Sequence, residues 1–159
     1  MKKILLFILT VSISFNTIGQ QTYTAQSGIN NWNSASSWSP NAIPTSNDNI
    51  VVPTGSKIKV NVANVTIDYF VISGGIIEVN NAITVTGGSN SSTSNEGGIQ
   101  LKENMTINGG NLTIGSGSNI TLNPGKQLIL SSASSDLTNN GNITLNSSSA
   151  LFSSLILKG

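Results

Sequence analysis

The chain has 159 residues, of which 8% are charged, against roughly 25% in an average soluble domain. It contains no His and no Cys, and all seven basic residues are Lys. These absences exclude a thiolate or imidazole nucleophile, the usual zinc site, a disulfide framework, and the guanidinium forks and basic stripes that grip phosphate or nucleic acid.

Met1-Lys2-Lys3 opens the chain with positive charge, and an apolar run follows from Ile4 to Phe15. Thr17-Ile18-Gly19 then supplies small residues on either side of Ile18, ready for a cut after Gly19. That order predicts a secretory signal peptide over residues 1–19. The apolar run is well short of the ~20 residues a membrane span needs, and no later stretch approaches one. Cleavage removes Lys2 and Lys3 and leaves five Lys against six acids, a net charge of −1. The expected product is exported to the medium or the outer cell surface, nearly neutral, with little long-range field to steer a charged partner.

Residues 20–49 form a leader that differs from the rest. They hold both tryptophans, Trp32 and Trp38, and two of the four prolines, Pro40 and Pro44. Two indoles six residues apart suit a lid over the first layer of a stacked fold, whose open end would otherwise expose apolar interior and bare strand edges. They also suit an aromatic platform for stacking sugars. Trp32 and Trp38 are therefore the candidate ligand-contacting residues.

From residue 50 to 159 the chain repeats. Asn-Ile-Thr-Leu-Asn occurs at 119–123 and again at 142–146, and Gly74-Gly75 and Gly87-Gly88 recur as Gly97-Gly98 and Gly109-Gly110. These features share a period of 22–23 residues. Within it, apolar residues alternate with polar ones in short runs such as Ile77/Val79, Ile83/Val85, Ile99/Leu101 and Met105/Ile107, the signature of half-buried strands. Three short strands per period, separated by Gly, Asn and Ser, predict a single-stranded parallel β-helix, a β-solenoid, of about five coils with an N-terminal cap. An antiparallel sandwich is the competing all-β architecture. Corners of such a coil need positive φ, which Gly and Asn tolerate. This accounts for much of the Asn, and for most of the Asn-X-Ser/Thr triplets, better than glycosylation does. Ser89–Glu96 breaks the rhythm and reads as a loop leaving one corner.

No chemistry-bearing constellation emerges. The mature acids Asp48, Asp68, Glu78, Glu96, Glu103 and Asp136 place no two on a single strand. They read as solvated surface charges rather than the paired carboxylates or calcium cluster of a polysaccharide-cleaving β-helix. Catalytic, metal and cofactor sites are expected to be absent. An ice-binding solenoid requires Thr-X-Thr in every coil, and only Thr84-Val85-Thr86 fits. A curlin-like amyloid requires fixed Gln positions, and Gln100 and Gln127 are the only Gln in the coils.

The run Trp32…Trp38-Ser39-Pro40…Ile43-Pro44…Asn47-Asp48-Asn49-Ile50-Val51-Val52-Pro53…Gly55…Ile58-Lys59-Val60 resembles the opening of secreted proteins of Bacteroidetes-type bacteria. In that group a W-x5-W leader precedes a β-helix of N-L-T-I-type repeats. It is similar, more weakly, to the glycine-rich β-helical module of animal cell-surface and hyaluronan-related proteins. The bacterial resemblance implies type IX secretion cargo that continues into a sorting domain. Because Leu155–Lys158 reads as a strand with no cap after it, residues 50–159 are expected to be a truncated β-helix with further domains downstream. The expected role is a non-catalytic structural or adhesion module whose partners are glycans or other cell-surface components. The alternative is a carbohydrate-binding accessory module in front of a polysaccharide-acting enzyme.

Overall fold

A computed structural model describes residues 19–88 and 90–158. The core of the expected signal peptide lies outside the described residues. An incomplete leading turn holds β1 (Thr22–Ala25), β2 (Gly28–Asn31) and β3 (Trp38–Ser39). Five complete coils follow. The first two are β4 (Asn49–Pro53), β5 (Ser56–Val60), β6 (Val65–Ile67), and β7 (Phe70–Ser73), β8 (Ile76–Val79), β9 (Ile83–Val85). The third is β10 (Ser91–Ser94), β11 (Gly98–Leu101), β12 (Met105–Ile107). The fourth is β13 (Leu112–Ile114), β14 (Asn119–Leu122), β15 (Gln127–Leu130), and the last is β16 (Leu137–Asn139), β17 (Asn142–Leu145), β18 (Ser154–Leu157).

Each coil contributes a strand to each of three sheets, in the orders β16-β13-β10-β7-β4-β1-β3, β17-β14-β11-β8-β5-β2 and β18-β15-β12-β9-β6. Every ladder is parallel except β1 with β3. The chain is a β-solenoid, as the repeat predicts. Among the described residues no helix is long and apolar enough to cross a membrane.

Register explains the composition. The two Asn-Ile-Thr-Leu segments sit one above the other as β14 and β17, residue for residue. In the second sheet Ile58, Ile77, Ile99, Ile120 and Ile143 form one inward column, and the first four are fully buried. Each contributes about 1.5–3 kcal/mol of hydrophobic stabilisation. Asn side chains tie coil to coil at the corners: Asn90 Oδ1 accepts from Asn111 N at 3.0 Å, Asn111 Oδ1 from Asp136 N at 2.8 Å, and Asn104 Oδ1 from Gln127 N at 2.9 Å. Asn142 Nδ2 donates to Asn119 Oδ1 at 3.2 Å. The Gly pairs recur because backbones meet there. A Cβ on Gly109 would stand 2.4 Å from the carbonyl oxygen of Gly87.

Two expectations about the coils are corrected. The period is not uniform: the third sheet's register steps 18 residues from Val65 to Ile83 but 27 from Leu128 to Leu155. Strands fix which residues stack, while the corners take up any length. Ser89–Glu96 is not merely a loop. Its centre is β10, paired with β7 and β13 in register. Ser91 and Thr93 occupy inward positions that are apolar in the two coils on either side: Phe70 and Leu112, Ile72 and Ile114. The backbone ladder needs no apolar side chain, so a polar strand was held in place by its neighbours and escaped the periodicity.

The hydroxyls of that strand are not equally satisfied. Ser91 Oγ accepts from Phe70 N at 3.3 Å, but Thr93 Oγ1 is buried with no hydrogen-bond partner among the described residues. Thr93→Val removes the unpaired hydroxyl at nearly constant shape. It is expected to stabilise the fold by about 1–2 kcal/mol, read as a higher urea midpoint at unchanged m-value.

Candidate functional site

The leader supplies the first feature. β1 and β2 are themselves the first two sides of the stack, parallel to β4 and β5, so residues 20–49 are more than a lid. A 3-10 turn at Ala35–Ser37 then reverses the chain, and β3 returns antiparallel along the outer edge of β1. This brings the tryptophans together. Their ring centroids lie 5.0 Å apart at 75°, edge to face, and Trp38 Nε1 donates to the Trp32 carbonyl at 3.0 Å. Trp32 is 2% exposed and Trp38 1%. The stacking-platform reading of this pair is thereby overturned: both rings lie in the core, packed edge to face rather than laid open as a platform.

Asp48 pins the returning segment. Its carboxylate accepts from Thr45 N and Thr45 Oγ1, both at 2.8 Å, and from Gln21 N at 3.0 Å. Between that segment and the corner after β5 lies a cleft of about 260 Å³. Trp32, Ile43, Pro44 and Val62 give it apolar walls, and Asn33, Thr45 and Asn64 give it neutral polar ones. None of its lining residues is charged.

The outer face of the second sheet carries the second feature. Glu78, expected to be a solvated charge, is buried and accepts from Lys102 Nζ at 2.8 Å, from Asn80 Nδ2 at 3.1 Å, and from the Lys57 ammonium. Lys57 also donates to Gln100 Oε1 at 3.2 Å, linking a third coil. Bonds from Lys102 and then Lys57 hold the Glu78 carboxyl well below its ordinary 4.5, at about 2, against the opposing effect of burial. Glu103 pairs with Lys126 at 2.8 Å, not with its sequence neighbour Lys102. The partners stand 21, 24 and 23 residues apart in sequence, close to one coil each, so the repeat length already encoded pairings that strand-by-strand inspection missed. Asp68 and Glu78 are not brought together: Asp68 accepts from Gln20. Asp48 is likewise buried, so the reading of all six acids as solvated fails at Asp48 and Glu78.

The third feature is the set of outward columns. Thr66, Thr84 and Thr106 align on the third sheet before Ile129 and Ile156 continue the column. Ser92, Thr113 and Thr138 align on the first, and Gln100, Thr121 and Thr144 on the second. Strands such as Val65–Ile67 and Met105–Ile107 carry a single outward Thr each, so a search for Thr-X-Thr within a strand does not find these columns. Among the described residues no three acidic side chains converge on a common point. Compared with known proteins, the chain matches no family model, no curated protein and no solved structure.

Two outcomes test this description. Glu78→Gln is expected to cost about 1–2 kcal/mol at neutral pH. A depressed carboxyl stabilises above its unfolded pKa and loses that contribution as pH falls through its folded one. The two proteins' urea midpoints should therefore converge between pH 4.5 and about 2. For the tryptophans, emission of the folded chain should be blue-shifted and resist acrylamide quenching, and Trp38→Ala should cost about 3–5 kcal/mol. Quenching as strong as that of free tryptophan would contradict the buried pair.

Proposed function

We propose that this chain is an exported, non-catalytic β-helical module that serves as a structural or adhesion scaffold of a bacterial surface or secreted protein. The observation that carries the reading is the set of in-register outward columns of Thr, Ser, Gln and Asn along three sheets. A stiff prism with repeated neutral hydrogen-bonding groups meets an extended partner at many weak points at once, and such contacts gain from multivalency. Glycans and other cell-surface polymers present the matching chemistry. The two buried carboxylates support a non-catalytic role. Asp48 is occupied by backbone and hydroxyl donors and Glu78 by two ammonium groups, and the leader cleft is lined by no acid or base.

A second reading, a carbohydrate-binding accessory module, rests on that same cleft, lined by Trp32, Ile43, Pro44 and Asn64, and no longer on an exposed pair of indoles. Its neutral polar and apolar walls suit the end of an uncharged saccharide.

In a bacterium that exports the chain, the mature protein should begin at Gln20. Labelled protein spanning residues 20–159 should be retained on surfaces coated with envelope polysaccharide and release no new reducing ends. Replacing Thr66, Thr84 and Thr106 by Ala should lower retention while the circular dichroism spectrum is unchanged. Cytoplasmic retention of the uncleaved chain, or turnover of a polysaccharide, would sink the proposal.

A further inference from the structure

The second sheet departs from its own repeat at one place. Its outward columns run Lys57, Ile76, Gly98, Asn119, Asn142 and Lys59, Glu78, Gln100, Thr121, Thr144. Gly98 is the one member of these columns with no side chain. Two residues before the first column the corner takes a positive φ, and three coils place glycine there: Gly55 at 81°, Gly74 at 80° and Gly117 at 77°. In the third coil the same corner falls on Glu96, at 64°. Left-handed backbone is costly for Glu, which lacks the short side chain that lets Asn or Asp bond locally. The third coil thus carries a side chain where its neighbours carry none, and lacks one where they have one. Between the two departures lies a cup of about 140 Å³, lined in part by Ile76, Glu96, Gly98, Gln100, Asn119 and Thr121.

We propose that this cup is a binding site for a single unit of an uncharged saccharide. The proposal rests on the reading of glycans as partners and gives them a defined place on the prism. Hydrogen-bonding capacity is the first argument. Glu96 joins none of the ion pairs among the described residues, so its carboxylate offers free acceptors. Lys57 donates to Gln100 Oε1 at 3.2 Å. That bond orients the amide and leaves Nε2 as a donor with no protein partner among the described residues. Asn119 is engaged on both sides, donating to the Gly117 carbonyl and accepting from Asn142 Nδ2, each at 3.2 Å, and so forms a fixed wall. The Thr121 hydroxyl can donate or accept. An acceptor, a donor and a hydroxyl around a small cup, with Ile76 as its apolar flank, match the vicinal hydroxyls and C–H faces of a sugar ring.

Charge is the second argument, and it selects the ligand class. Lys57, Glu78 and Lys102 leave one positive charge beside Gln100, while Glu96 brings one negative charge to the cup. A divalent cation meets the two lysines with a single free carboxylate to hold it, and an anion meets Glu96. A neutral polyhydroxyl ligand meets neither repulsion.

Amide chemical-shift titration of isotope-labelled residues 20–159 tests it, with the methyl glycosides of glucose, galactose, mannose and N-acetylglucosamine as probes. At least one of these is expected to give saturable shifts at the Gly98 and Thr121 N–H groups and the Gln100 side-chain amide. Glu96→Gly, which restores the residue of the neighbouring coils, should weaken binding by about tenfold and raise the urea midpoint. A merely structural role for Glu96 would lower that midpoint instead. Should Glu96→Gly fail to fold, Thr121→Val, which removes only the hydroxyl, is expected to weaken binding as well. No shift with any of these sugars, unchanged affinity in Glu96→Gly, or movement of the same signals by calcium chloride and not by sugar would each overturn the proposal. If the sugars fail while the unsubstituted chain is still retained on envelope polysaccharide, the cup is wrong and the scaffold reading stands. Loss of that retention is the failure of the scaffold reading itself.

Discussion

In-register stacking of one coil on the next is the constraint from which the rest of this structure follows. Parallel ladders put each residue about 4.8 Å above its counterpart in the coil below, so a choice made once is repeated along the axis. Apolar residues become the Ile column of the second sheet. Corner asparagines become a chain of carbonyl oxygens, each receiving the next coil's N–H. Lysines and glutamates become ion pairs that span coils rather than strands. The low charge and high Asn content are two sides of this arrangement, because neutral amides can stack on themselves and like charges cannot.

The same constraint tolerates local violations. β10 brings two hydroxyls into the apolar column, and it is held by six backbone-paired register positions to strands on either side. The local cost is one orphaned hydroxyl at Thr93 and the loss of two side chains' worth of apolar packing. The backbone ladder is indifferent to side-chain type, and that indifference lets a polar strand sit inside a solenoid.

Stacking also creates a problem it cannot solve, since a linear stack has two ends. Here the leading end is closed by a chain reversal that buries two indoles and covers one strand edge, with Asp48 fixing the returning segment. Outward-facing chemistry is left to the sides of the prism. There neutral hydrogen-bonding groups stand in columns beside the Lys57–Glu78–Lys102 cluster and the Ile129–Ile156 pair, and the two most constrained carboxylates are structural.

The repeat, the three strands per coil and the solenoid were legible in the residues alone, because apolar alternation and verbatim recurrence report directly on period and burial. So was the suitability of a tryptophan pair for a cap, though the same two residues left a sugar platform open as the alternative. Only the tertiary structure decided between these, since whether an indole is buried depends on where Ala35–Ser37 turns the chain and not on the indole. Glu78 shows the middle case. Its partners Lys57 and Lys102 lie close to one coil length away on either side, visible in principle from the period but not from its own strand. β10 and the Thr66–Thr84–Thr106 column were out of reach. Both depend on register through corners of unequal length, and register is set by backbone hydrogen bonds whose partners lie a whole coil away.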